Sequence, residues 1–114
     1  MTRERRGFSR IPHTFDAQYR VSGDLTSFWH PMTVLNVSAG GLRFRSEESL
    51  ESGTVLEVRF QLPGDSQALL LVGRVVWNQL EASGVTESGI EFSDVTMDQQ
   101  MKIDALVQFL KRRA

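Results

Sequence analysis

From Phe15 onward the chain alternates, with apolar Phe15, Ala17, Tyr19 and Val21 interleaved with polar Asp16, Gln18 and Arg20. A period of two marks a strand with one buried face. Ser22-Gly23-Asp24 breaks the pattern. A second strand is predicted from about Trp29 to Val37. A third, Leu42 to Arg45, sets Leu42 and Phe44 on one face and Arg43 and Arg45 on the other. In the fourth, Leu56, Val58, Phe60 and Leu62 face one way and Glu57, Arg59 and Gln61 the other. Pro63-Gly64-Asp65-Ser66 is turn chemistry. The fifth strand, Ala68 to Trp77, is apolar on both faces apart from Gly73 and Arg74, which predicts cover on both sides. The sixth is short, Ser88 to Phe92.

The period changes at Thr96. Thr96 and Gln99 form a capping-box pair, and Ile103, Leu106, Val107 and Leu110 recur at helical spacing. Met97 and Met101 extend that face by one turn. Lys111, Arg112 and Arg113 complement the negative end of the helix dipole. One helix, about 96–112, is predicted to cap an open end of a barrel or to cover the doubly apolar fifth strand. Six short strands joined by tight turns, with no helix between them, define a mainly all-β fold, an antiparallel barrel or sandwich.

Length and composition narrow this further. The chain has 114 residues, 40% hydrophobic and 24% charged, enough for one packed domain without a disulfide or metal staple. Residues 1–10 hold one large apolar side chain beyond Met1, Phe8, and read as a flexible arginine-rich tail on a domain spanning 11–114. The absence of cysteine excludes thiol catalysis, thiolate zinc sites and a disulfide framework. No apolar run approaches a membrane span and the start lacks a signal peptide, so the expected location is the cytoplasm.

The net charge of −1 conceals an asymmetry. Residues 1–10 carry +3 and residues 102–114 carry +3, against −7 for residues 11–101. Positive charge at the ends suggests an anionic partner there. Arginine outnumbers lysine 11 to 2, a bias suited to bidentate recognition of phosphate or guanine edges.

No catalytic constellation emerges. His13 and His30 read as solvent-facing polar positions, Glu47-Glu48 as a solvated turn, and no phosphate-cradling loop, nucleophile elbow or zinc spacing is present. No cofactor or metal is implied, and the expectation is a binding module, not an enzyme. Two segments carry candidate chemistry. Arg6 and Arg10 lie four residues apart in Arg5-Arg6-Gly7-Phe8-Ser9-Arg10, just before the first strand. Asn36-Val37-Ser38-Ala39-Gly40-Gly41 joins strands two and three. Alone, the first is a basic tail and the second an ordinary tight turn.

Together, in this order, they resemble the two motifs of the PilZ domain family, bacterial receptors for the second messenger cyclic di-GMP. The first motif, two arginines separated by three residues, matches Arg6 and Arg10. The second, Asp or Asn, any residue, Ser, two residues, Gly, matches Asn36, Ser38 and Gly41. Gly89-Ile90-Glu91-Phe92 and the terminal helix look like the family's closing elements, and the resemblance runs from about Arg5 to Arg113. It implies a six-stranded antiparallel β-barrel of PilZ type with a C-terminal helix. It also implies cyclic di-GMP as ligand, held by Arg6, Arg10, Asn36, Ser38 and Gly41.

Elementary chemistry agrees. A guanidinium pairs bidentately with guanine O6 and N7 or with a phosphate, and can stack on a purine. Asn36 and Ser38 offer donors and acceptors, and Gly41 permits close approach or a positive φ. Arg5 and Arg43 are further candidate contacts. Trp77 either fills the barrel core or stacks on guanine, as an aromatic does in some relatives. The implied function is ligand-induced conformational change, relayed to a protein partner in motility, pilus or surface-attachment machinery. The alternative is a PilZ-type adaptor that does not bind the nucleotide. A barrel binding RNA or single-stranded DNA would want a basic, aromatic face, and residues 11–101 are net negative, so no nucleic acid polymer is expected.

Overall fold

The computed structural model describes residues 14–23, 28–62, 64 and 66–113. Six strands, β1 (Phe15–Val21), β2 (His30–Val37), β3 (Gly41–Ser46), β4 (Val55–Gln61), β5 (Ala68–Leu80) and β6 (Thr86–Ser93), precede one helix, α1 (Met97–Arg113). They close into an antiparallel barrel in the order β1-β2-β3-β6-β5-β4. Closure leaves no free sheet edge. The strand register explains the alternation in the sequence: inward rows from β1 to β6, including Tyr19, Val34, Phe44, Leu56, Val58, Val75 and Ile90, form one buried core.

The helix begins where the sequence places it. Thr96 Oγ1 accepts from the Gln99 amide at 3.1 Å, while Gln99 Oε1 accepts from the Thr96 amide at 2.9 Å, the reciprocal capping box. Asp94, at φ 52°, turns the chain from β6 into this cap. Ile103, Leu106 and Leu110 are buried in the same core as the barrel interior. The Gln99 side-chain amide donates to the Leu70 carbonyl at 3.0 Å, which ties the helix start to β5.

Two expectations fail at this junction. The outer face of β5 is not covered: Leu70 is 55% exposed, and Val72 and Val76 are exposed as well. The helix therefore closes an end of the barrel and does not lie across the fifth strand. Met97 and Met101, expected on the buried face, are exposed. They occupy the first turn and a half, where the helix has not yet come over the barrel's end, and the buried stripe starts at Ile103.

The opposite assignment fails for the turn after β3. Glu48 is not simply solvated: its Oε1 accepts from the buried Tyr19 hydroxyl at 2.8 Å. The His30 ring lies 5.4 Å from the Tyr19 ring, with Nδ1 3.8 Å from Glu48 Oε2, so His30 is half-buried at a polar end of the barrel. Ser46 Oγ fixes the turn by donating to the Glu48 carbonyl at 2.9 Å. Burial, reinforced by the bond to the Glu48 carboxylate, pushes the Tyr19 phenol well above its ordinary value.

Candidate functional site

Two β-bulges decide which side chains reach the outer surface. The register of β2 against β3 shifts between Val34 and Asn36. Strict alternation from buried Val34 would send Asn36 inward. The extra residue, Leu35, turns Asn36 out and returns Val37 to the core. The register of β5 against β6 shifts between Val75 and Trp77. Val75 is buried, and the extra residue, Val76, turns Trp77 to the outer face, where it is 38% exposed. Trp77 is thus a surface residue and not part of the core, and β5 continues three residues past it to Leu80.

Asn36, Arg43, Gly89 and Trp77 consequently stand in register across four neighbouring strands. Asn36 is opposite Arg43, Arg43 opposite Gly89, and Gly89 opposite Trp77. With strands ~4.8 Å apart, the row is roughly 14 Å long. The next row on the same face is Gly41, Glu91 and Arg74. Gly89 has no side chain because the indole occupies its place: a Cβ there would fall 2.6 Å from Trp77 Cε2. The sequence offered a signal for this, an isolated glycine within a strand pattern. The Trp77 ring lies against the sheet on one side and faces outward on the other.

The β2–β3 hairpin closes the row at its Asn36 end. The Ser38 amide donates to the Gly41 carbonyl at 2.9 Å, and Ser38 Oγ accepts from the Gly40 amide at 3.3 Å. The Phe92 amide donates to the Gly40 carbonyl at 2.9 Å, pinning the hairpin to β6. Gly41 is needed for close approach and not for a positive φ, since a Cβ would overlap the carbonyl oxygen of Ile90. Ser38, Asn36, Gly41, Arg43 and Trp77 are therefore brought to one face. Arg5, Arg6 and Arg10 lie outside the described residues.

Charge on this face is balanced. Arg43 Nε is 3.6 Å from Glu87 Oε2, and Arg45 Nε is 3.5 Å from Glu81 Oε2. Arg74 and Glu91 stand opposite each other without an ion pair. An anion attracted here needs positive charge from elsewhere. The described residues contain no group of three or more His, Asp or Glu arranged to hold a metal ion. A concavity of about 790 Å³ lies elsewhere, among Asp16, Gln18, Thr33, Arg45, Glu47 and Arg59. It mixes both signs of charge and touches none of the row. Among the described residues no helix is long and apolar enough to cross a membrane.

The closed barrel and its terminal helix define a small β-barrel domain with a polar-aromatic outer face. Its family follows from the sequence: the model of the PilZ domain matches residues 4–109, and the chain belongs to that family. No curated protein matches it. The fold is similar to the PilZ domain of CeSA from a cellulose-synthesizing bacterium, at TM-score 0.64 and 20% identity over 90% of this chain and 97% of that one. It is similar to the Bacillus subtilis inhibitor of motility MotI/DgrA, at TM-score 0.64 and 23% identity. There 96% of this chain matches 51% of that one, so the chain spans about half of that protein. The PilZ domain of YcgR from Escherichia coli, solved with c-di-GMP, matches at TM-score 0.60 and 11% identity over 88% and 91% of the two chains.

Proposed function

We propose that this chain is a cytoplasmic receptor for cyclic di-GMP, without catalytic activity. The observation that carries the reading is the convergence of both ends of the second motif with Arg43 and Trp77. Two bulges turn Asn36 and Trp77 onto one face, and the pinned hairpin sets Ser38 and Gly41 beside them. Asn36 and Ser38 read a guanine edge or a phosphate, and the outward side of the Trp77 indole offers a stacking surface. Arg43 supplies a phosphate contact.

The two phosphates of the ligand need more cation than this face offers, and Arg6 and Arg10, with Arg5, supply it. Phe15 pairs with Val34, two residues from Asn36, and Arg10 is five residues before Phe15. Five residues reach at most about 17 Å, so the arginine motif can close over the Asn36 end of the row. Residues 1–10 then act as a flexible arm that orders on the ligand, and residues 11–114 as the domain that receives it. The ordered arm forms or hides a surface for a protein partner in motility, pilus or surface-attachment machinery.

Isothermal titration calorimetry with cyclic di-GMP, with GTP as control, tests the reading. Selective binding that is lost in Arg10→Ala is expected. No heat from a folded protein would refute it and leave the nucleotide-free adaptor, which acts through protein contacts alone.

A further inference from the structure

Among the arginines on the barrel's outer face, Arg74 is set apart. Arg20 bonds Glu57 at 2.7 Å, Arg59 bonds Gln18 at 3.0 Å, and Arg43 and Arg45 face Glu87 and Glu81. Arg20 and Arg59 also lie on the Trp29 ring, at 4.4 and 4.1 Å. Arg74 is exposed and bonds none of the described residues, although Glu91 stands opposite it.

Its place is specific. The outer face presents two rows, Asn36-Arg43-Gly89-Trp77 and Gly41-Glu91-Arg74. Gly41 leaves its corner of this rectangle low, and the Trp77 indole lies over Gly89. Asn36 stands at one corner, Trp77 at the far end of its row, and Arg74 beside Trp77 in the second row. Three residues of extended strand separate Trp77 from Arg74, roughly 10 Å between Cα atoms, which a long arginine stem readily spans. The exposed guanidinium on that stem is within reach of a ligand seated on the outward side of Trp77.

We propose that Arg74 binds a phosphate of the guanine nucleotide unit that stacks on Trp77, the half of the ligand farther from the β2–β3 hairpin. This rests on the cyclic di-GMP reading above. Arg74 gives a charge-assisted contact, and among the described residues it holds no ion pair that must break before it engages. Glu91, between Gly41 and Arg74, is the opposing element: its carboxylate repels the same phosphate.

The experiment titrates cyclic di-GMP into the full chain and its Arg74→Ala, Glu91→Gln and Arg10→Ala variants, with circular dichroism to confirm folding. Arg74→Ala should weaken binding roughly 10- to 100-fold and flatten its salt dependence. Glu91→Gln should tighten it several-fold. Equal affinity in wild type and Arg74→Ala, with Arg10→Ala still defective, overturns the role of Arg74 and leaves the receptor reading standing. A folded wild type that does not bind overturns both.

Discussion

The contact between Trp77 and Gly89 can be broken with one methyl group. A Cβ at position 89 would overlap the indole, at 2.6 Å from Cε2, and Gly89 has no positive φ to complicate the substitution. Trp77 is 38% exposed, so about three-fifths of its surface is covered. For an aromatic of this size that is roughly 150 Å². At ~25 cal/mol per Å², lifting the ring entirely off the sheet costs up to about 4 kcal/mol, and a partial swing about half of that. Replacing glycine by alanine restricts the unfolded chain and returns ~0.4–1 kcal/mol. Gly89→Ala should therefore destabilise the barrel by roughly 1–3 kcal/mol, or about 4–12 °C in Tm.

The cycle with Trp77→Ala isolates the cause. With the indole removed, a methyl at 89 no longer meets its three nearest neighbours, and Gly89→Ala should be neutral or slightly stabilising. Urea unfolding followed by circular dichroism gives all four free energies. In a Trp29→Phe background the emission of Trp77 alone should shift to the red in Gly89→Ala, because the displaced ring is wetter. An equal cost of Gly89→Ala with and without Trp77 would refute the steric reading, since the penalty would then come from the backbone. Ligand affinity should fall in Gly89→Ala as well, because a tilted ring no longer presents a flat face to the purine.

Arg6→Ala and Arg10→Ala should each lower cyclic di-GMP affinity about 5- to 150-fold while leaving the melting curve unchanged, as calorimetry and thermal unfolding will show. Gly41→Ala should cost roughly 1–3 kcal/mol, because its Cβ meets backbone at Ile90 that cannot rotate away. A Gly41→Ala variant as stable as wild type in urea contradicts that packing. Ser88 is fully buried and its hydroxyl has no partner among the described residues, so Ser88→Ala should be neutral or stabilise by about 1 kcal/mol. The raised phenol pKa of Tyr19 makes stability intact below about pH 10 and lost above it, by roughly 1.4 kcal/mol per pH unit, as unfolded chains shed a proton that the barrel retains. Tyr19 is the only tyrosine, so absorbance at 295 nm should show phenolate only as the barrel unfolds, and a reversible titration near pH 10 in folded protein would count against the buried bond.

Periodicity carried the barrel because a closed sheet has one inside, and each inward row reads as a run of alternating apolar residues. Leu56, Val58 and Phe60 need no tertiary information to be placed, and Thr96 with Gln99 marks the helix start by local hydrogen bonding alone. What periodicity could not carry is the reverse question of what lies against an apolar outer face. Leu70, Val72 and Val76 look identical in sequence to covered residues, and only the path of α1, across the barrel's end, leaves them bare. Glu48 illustrates the same limit for polar groups. A carboxylate in a turn becomes a partner for a buried phenol through a contact 29 residues away in sequence.

The candidate site was marked by motifs, but the placement of Asn36 and Trp77 was hidden by two single-residue register shifts. Read with unbroken alternation, Val34 puts Asn36 inside and Val75 puts Trp77 inside, and the outer row would lose both of its ends. Each bulge costs its strand one ladder position and leaves a residue, Leu35 or Val76, without a cross-strand partner. The β2 shift sets apolar Val37 in the core in place of polar Asn36, whereas at the β5 shift Trp77 gives up burial to lie over Gly89. The two shifts fall on the strands that bound one row, one at each end, and both turn a polar or aromatic side chain toward the same solvent. An unbroken alternation would keep both side chains inside the barrel. This barrel departs from it at Asn36 and at Trp77, the two ends of the row on which the proposed reading seats the two bases of cyclic di-GMP.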